Sequence, residues 1–400
     1  EIAIGRKTRL SCIGAYKALD KRFGFLGWIA TLVPVIITPY YCVIGGWVMK
    51  YLFTFVTGQG MTAADNGGFF DSFIGFDAGS LTATMLDFSG PTPWFLLFVL
   101  ATTVVVIFGV EKGIERASRF MMPILAVLAI FVAIYSLTIP GAMAGLKYYF
   151  LPDFSQFSLS TVLGALGQMF YSMSLAMGIM ITYGSYMKKE NLLEHSVTQI
   201  EVFDTLFAFV AGLMIIPAVV AFNGGDPSQI NSGPVALPMV FESMHFGEII
   251  GAVFFLLVLF AALTSSISLM ETIVSVVMDK THMKRKPATL VVMVIILLVG
   301  IPSCLGYGPW AAIEIIGMQF LDFFDFISNS VLMPIVAVLT CILVGHVIGT
   351  KVIADEVKEG AGAFHREKMY HVMIRWIAPV LLVTILVSEL LTKVFHLFSI

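Results

Sequence analysis

The chain has 400 residues, of which 58% are hydrophobic and only 12% charged, and its mean hydropathy is +0.94. Soluble domains carry roughly a quarter charged residues, so an ordinary soluble fold is excluded. The net charge of −3 gives no broad field of one sign, and no nucleic-acid partner is expected.

What remains is an all-α polytopic membrane protein, read as a single transmembrane domain over 1–400. Nine apolar stretches approach or exceed the roughly 20 residues that a membrane-crossing helix needs: 24–57, 94–110, 117–139, 161–187, 197–222, 248–279, 288–304, 311–346 and 371–395. Charge placement supports that division. The segments 1–23, 111–119, 188–196, 280–286 and 347–370 hold 19 of the 23 Lys and Arg. The segments between them hold Asp65, Asp71, Asp77, Asp87, Asp153, Asp226 and Glu242. Cytoplasmic loops are the basic ones, so the first segment is assigned to the inside and the end of the ninth span to the outside of a cell membrane, expected to be a bacterial inner membrane.

The four cysteines, Cys12, Cys42, Cys304 and Cys341, show no paired or metal-binding spacing. No P-loop, GxSxG or Rossmann fingerprint occurs. An enzyme is therefore not expected, and transport, if it occurs, must be driven by an ion gradient.

In chain order, Glu1–Ile4 has the character of the last turn of a helix leaving the membrane. The chain is expected to begin partway through a longer protein. The first full span carries Pro34, Pro39, Tyr40, Tyr41, Gly45, Gly46 and Trp47. Ile37 and Tyr41 are four apart and share a helix face, although mid-span tyrosines more often pack between helices than touch a ligand. Further on, Ser172, Ser174, Ala176 and Gly178 put small and polar groups in the middle of an apolar stretch. Such residues make a helix easier to interrupt, and in lipid an interruption survives only where protein covers it or it lines a cavity. Asp204 falls inside the span 197–222, where a carboxylate costs about 2.5–3.5 kcal/mol on insertion scales and is usually functional or paired.

In the next span, Ala261, Thr264, Ser265, Ser268 and Leu269 fall on one helical face. Small hydroxyl residues often serve only close helix packing. Their density here points instead to oxygen ligands for a hard cation, without separating sodium from other such cations. The span 311–346 opens with Glu314, Asp322 and Asp325, carboxylates read either as interfacial or as part of an outer gate.

These residues together resemble the neurotransmitter:sodium symporter family, in particular its bacterial, leucine-transporter-like amino-acid members. The resemblance rests on Glu1 to Arg6, Tyr40-Tyr41 with Gly46-Trp47, Gly167-Gln168 to Gly178, and Ala261 to Ser266. It implies an inverted-repeat fold in which this chain begins at the end of the second helix, with the first helix and most of the second missing. It also implies a sodium-coupled symporter that imports a hydrophobic or aromatic amino acid by alternating access. Ile37, Tyr41, Tyr171, Ser174, Met177, Ser265 and Leu269 would line the substrate pocket. Ser172 and Asp204 would serve a first sodium, and Ala261 (through its carbonyl), Thr264 and Ser265 a second. Tyr171 would act as lid and Asp325 as the acidic half of the outer gate. Asp204 stands where many members have asparagine, and Ala208 lacks the carboxylate that some bacterial members use in place of chloride, so chloride is not expected to be required. By itself the chain would hold about half of each sodium site and would not transport. A proton-coupled symporter with Asp204 titrating, and a membrane sensor that binds without transporting, are the alternatives.

Overall fold

The computed structural model describes residues 1–65, 68–75, 88–152, 154–224, 240–241, 244–359 and 363–394, with the side chains of 64–65, 156 and 159–160 left aside. Asp77, Asp87, Asp153, Asp226 and Glu242, as well as the side chain of Asp65, fall outside that description. The described residues are almost entirely helical. Those that matter below are α1 (Ile2–Thr8), α2 (Cys12–Leu19), α3 (Gly24–Val56), α4 (Pro91–Ile107) and α5 (Arg116–Leu137), then α6 (Leu159–Ser172) and α7 (Ile179–Tyr186). They are followed by α8 (Leu193–Phe222), α9 (Gly247–Thr281), α10 (Arg285–Gly306), α11 (Phe320–Val347), α12 (Thr350–Lys358) and α13 (Glu367–Lys393).

Among the described residues, seven helices are long and apolar enough to cross a membrane: α3, α5 with the turn before it, α8, α9, α10, α11 and α13. The other two expected spans take different forms. At 17 residues, α4 reaches only about 26 Å at 1.5 Å per residue. Residues 161–187 form no single helix but the pair α6 and α7.

Glycine pairs set the closest helix contacts. Gly45 and Gly46 of α3 let α4 approach until an added Cβ would stand 2.4 Å from the Phe98 ring and 2.7 Å from the Phe95 nitrogen. Gly5 of α1 and Gly184 of α7 do the same at a second crossing, where a Cβ would meet the Ile181 and Ile2 carbonyl oxygens at 1.9 and 2.2 Å. Around these contacts α3 packs on α4, α9 and α10, α5 packs on α8 and α9, and α11 packs on α13.

One boundary differs clearly from the sequence reading. The span expected over 311–346 begins as a helix only at Phe320. Before it the chain turns: Ile316 and Gly317 have φ of 54° and 70°, and Ile315 and Met318 form an isolated bridge. Glu314 therefore lies in this turn and not in the helix. The run Ala311–Ile316, apolar apart from Glu314, looks like helix in sequence, but the left-handed Ile316 and Gly317 reverse the chain there.

Candidate functional site

The site is built around the gap between α6 and α7. Helix α6 starts with Ser158, whose hydroxyl caps the Thr161 N–H at 3.4 Å, and ends at Ser172. The sequence reading put a junction near Ser174 to Gly178; the non-helical segment is 173–178. Within it Ser174, Ala176 and Gly178 have φ of 53°, 60° and 73°. For Ser174 and Ala176 this left-handed geometry costs about 1–2 kcal/mol each, so the surroundings must hold it. The Ser174 N–H reaches the Tyr171 carbonyl at 2.9 Å and the Leu175 N–H the Phe170 carbonyl at 3.2 Å. The Ala176 N–H donates to Glu1 Oε1 at 2.8 Å. The Gly5–Gly184 crossing keeps α1 against α7 and so keeps Glu1 beside the break. Strain held in place by several neighbours tends to collect at binding sites.

A cavity of about 460 Å³ opens beside the break, within the usual range for small-molecule sites. Ile37 and Tyr41 border it from α3, Ser265 and Leu269 from α9, and Tyr171, Ser174 and Met177 from the broken segment and its flank. Ser172 and Thr264 border it as well, whereas Asp204 and Ala261 stand outside its lining. Two groups of oxygens lie next to it. The Ser172 hydroxyl donates to Asp204 Oδ1 at 2.5 Å, and the Thr264 hydroxyl donates to the Ala261 carbonyl at 2.9 Å. Carboxylate, hydroxyl and carbonyl oxygens are the donors that hard monovalent and divalent cations take. Glu201, one turn before Asp204, is paired instead with Arg366 at 2.7 Å.

Five lining residues carried no assignment from sequence: Met122, Gln168, Ile179, Met180 and Tyr183. Tyr183 and Ser268 join hydroxyls at 2.9 Å across α7 and α9. Ser268 lies on the helical face read from sequence with Ala261, Thr264, Ser265 and Leu269, and Tyr183, three residues after Met180, was within reach of the same periodicity argument.

On the side assigned to the outside, Tyr171 and Gln168 also border a second, polar cavity of about 360 Å³. Asp325, Asn329, Ser330, Glu389 and Lys393 line it. Tyr171 thus stands between the two spaces. Asp322, by contrast, accepts a hydrogen bond from Tyr307 at 2.6 Å and is not among that cavity's lining residues.

On the opposite side, the fully buried Glu271 accepts from the Tyr186 hydroxyl at 2.7 Å and pairs with Arg285. Arg285 also donates to the Val106 carbonyl at 2.9 Å, joining the end of α4 to the group. Sequence reasoning passed over Glu271, although a lone acid between Glu248 and Asp279 in an apolar span is itself a signal of a paired or functional charge. On α1, the buried Arg6 pairs with Glu356 at 2.8 Å, and Lys189 bridges Glu356 and Glu359. The hydrogen bond from Lys189 holds the Glu359 carboxyl below its ordinary value.

Comparison with known proteins gives a consistent result. Residues 73–397 match the sodium:neurotransmitter symporter family. An uncharacterized sodium-dependent transporter of Bacillus subtilis (strain 168), YhdH, is 34% identical over 399 residues, 97% of this chain and 85% of its own length. An uncharacterized sodium-dependent transporter of Haemophilus influenzae is 32% identical, covering 98% of this chain and 86% of its own. The crystal structure of MhsT in complex with L-phenylalanine superimposes with a TM-score of 0.84 at 37% identity, over 97% of this chain and 86% of that one.

Proposed function

Because the chain belongs to the sodium:neurotransmitter symporter family, we propose that it is a sodium-coupled symporter importing a hydrophobic or aromatic amino acid by alternating access. The observation that carries this reading is the cavity of about 460 Å³ at the broken helix, with the Ser172–Asp204 oxygen pair on its edge. Its walls hold Ile37, Met177 and Leu269 for an apolar side chain, Tyr41, Ser174 and Ser265 for polar ends, and Tyr171 as lid. No charged side chain borders it among the described residues, which favours a substrate whose own side chain is uncharged. Met177, Met180 and Met122 make the wall adaptable. The L-phenylalanine bound by the similar MhsT structure agrees with this chemistry.

Ser172 and Asp204 serve one sodium, and the Ala261 carbonyl, Thr264 and Ser265 serve the other. Asp204 brings a full negative charge to the first, so a chloride ion is not required there. Bound sodium raises the affinity for the amino acid, and the amino acid raises the affinity for sodium by the same factor.

The test is uptake of labelled L-phenylalanine into proteoliposomes by the protein expressed from its whole coding region. An inward sodium gradient drives uptake and choline does not. Uptake driven equally well by a pH gradient without sodium would establish the proton-coupled alternative. Asp204→Ala removes the charged oxygen proposed for the first sodium, so half-maximal uptake should need on the order of 10-fold or more additional sodium, about 1.4 kcal/mol or more of lost binding. An unchanged sodium requirement removes Asp204 from the site. Equal uptake in chloride and gluconate is expected as well.

A further inference from the structure

The outer cavity of about 360 Å³ is lined by Asp325 of α11 and Lys393 of α13, and each of these opposite charges is already engaged by other partners. Asp325 Oδ1 accepts from the Tyr40 hydroxyl at 3.0 Å and from the Asn329 amide at 2.5 Å. The same amide lies 3.3 Å from the Tyr40 oxygen, closing a triangle. The Lys393 ammonium of α13 sits 3.4 Å from Glu389 on its own helix and 3.3 Å from the Ser330 hydroxyl of α11, which itself donates to Glu389 at 2.9 Å. Both bonds to Asp325 land on one oxygen, so the other oxygen carries neither of them.

Tyr40 is only 2% exposed, and its hydroxyl is the only atom of α3 that this triangle uses. Its position gives the bond a second meaning. Tyr40 is adjacent in sequence to Tyr41 and three residues from Ile37, both of which border the inner cavity. Any rotation of α3 that follows occupation of the inner cavity moves the Tyr40 hydroxyl with it. We infer that Tyr40 is a positioning residue: its hydroxyl holds the Asp325 carboxylate against α3, keeps the outer cavity open, and must let go before that cavity closes over bound substrate. The inference rests on the symport reading and on Asp325 as a gate residue, and it adds the group that sets the position of that gate.

Tyr40→Phe removes the hydroxyl and keeps the ring. The reporter is Gly167→Cys, at a residue that lines the outer cavity and where an added Cβ meets nothing within 4 Å. All four native cysteines are buried, so a membrane-impermeant maleimide reads mainly the introduced thiol. Sodium-dependent binding of L-phenylalanine by the reporter protein is checked first. Adding Tyr40→Phe should leave that binding within about twofold while slowing maleimide labelling in sodium on the order of fivefold, the share of one hydrogen bond. Asn329→Ala, which removes the other bond to Asp325, should slow labelling in the same direction and stands in if Tyr40→Phe does not fold. In an Asp325→Asn background Tyr40→Phe should add little further effect. Intact binding with unchanged labelling in Tyr40→Phe overturns the inference and leaves the symport reading standing. Absence of sodium-dependent binding in the unmutated protein overturns the symport reading, and this inference with it.

Discussion

Replacing Gly178 by alanine asks whether the broken helix is a conformation the protein must hold. Gly178 has φ of 73°, where an L-residue costs about 1–2 kcal/mol. The added Cβ would also stand 3.1 Å from Cys12 Sγ, 3.3 Å from Cys12 Cβ and 3.4 Å from Thr272 Cγ2, which is tight. In a continuous helix, however, alanine is favoured over glycine by about 1 kcal/mol. Both effects push 173–178 towards joining α6 to α7, by about 2–3 kcal/mol together. Binding that requires the break then weakens by at most about 30- to 150-fold, a ceiling approached only when the joined form already predominates, and by about half that when the two forms are balanced beforehand. Equilibrium binding of labelled L-phenylalanine at saturating sodium measures this. Combining Gly178→Ala with Cys12→Ala separates the causes, because it removes the close sulfur and leaves the backbone cost in place. Wild-type affinity in Gly178→Ala, or full recovery in the double variant, would refute the conformational argument.

Other expectations follow from the packing and the charges. Gly5→Ala puts a methyl 1.9 Å from the Ile181 carbonyl, overpacking that costs about 1–3 kcal/mol; thermal unfolding in detergent should show a lower midpoint, with Gly184→Ala shifting it the same way. Glu271→Gln leaves Arg285 without its charge partner, and breaking a buried pair costs about 3–5 kcal/mol. With the Arg285 side chain 21% exposed the low end is expected, and Glu271→Leu combined with Arg285→Met should recover most of the loss in melting temperature. Glu359 has its folded pKa held below the ordinary 4.5 by the Lys189 hydrogen bond, so its contribution is present above that value and is lost as pH falls through the folded pKa. As pH falls below that ordinary value, the melting midpoint of the wild type should therefore drop more steeply than that of Glu359→Gln.

The sequence was most legible where one physical requirement dominated. Long apolar runs marked the membrane helices because lipid leaves the backbone no partner outside the helix. The small and polar residues from Ser172 to Gly178 marked the interruption for the same reason. Tertiary detail was less visible. The start of α11 was placed nine residues early because Ala311–Ile316 is apolar enough for a helix, and nothing local announces the left-handed Ile316 that turns the chain. Glu271 went unassigned although its isolation was a signal, since its partners Tyr186 and Arg285 lie 85 residues before it and 14 after. Asp204 and Ser172, 32 residues apart, were joined through the family resemblance and not through any spacing in the chain.

The two halves of the interrupted helix have different neighbours, and that difference bears on coupling. Helix α6 ends in Tyr171 and Ser172, one between the two cavities and the other bonded to Asp204 on α8. Helix α7 is set against α1 by the Gly5–Gly184 crossing and tied to α9 by the Tyr183 and Tyr186 hydroxyls. Segment 173–178 is the only covalent link between these halves, and its geometry is strained at Ser174 and Ala176. On the proposed sites, a cation at Ser172 and Asp204 would fix the end of α6, while a substrate touching Ser174 and Met177 would fix the link itself. Each therefore orders residues that the other must also find ordered, and each lowers the conformational cost met by the other. On the symport reading, coupling then needs no direct contact between sodium and amino acid. It needs only that both bind the same six-residue link or its immediate flank, and this would make the break, rather than either helix alone, the working part.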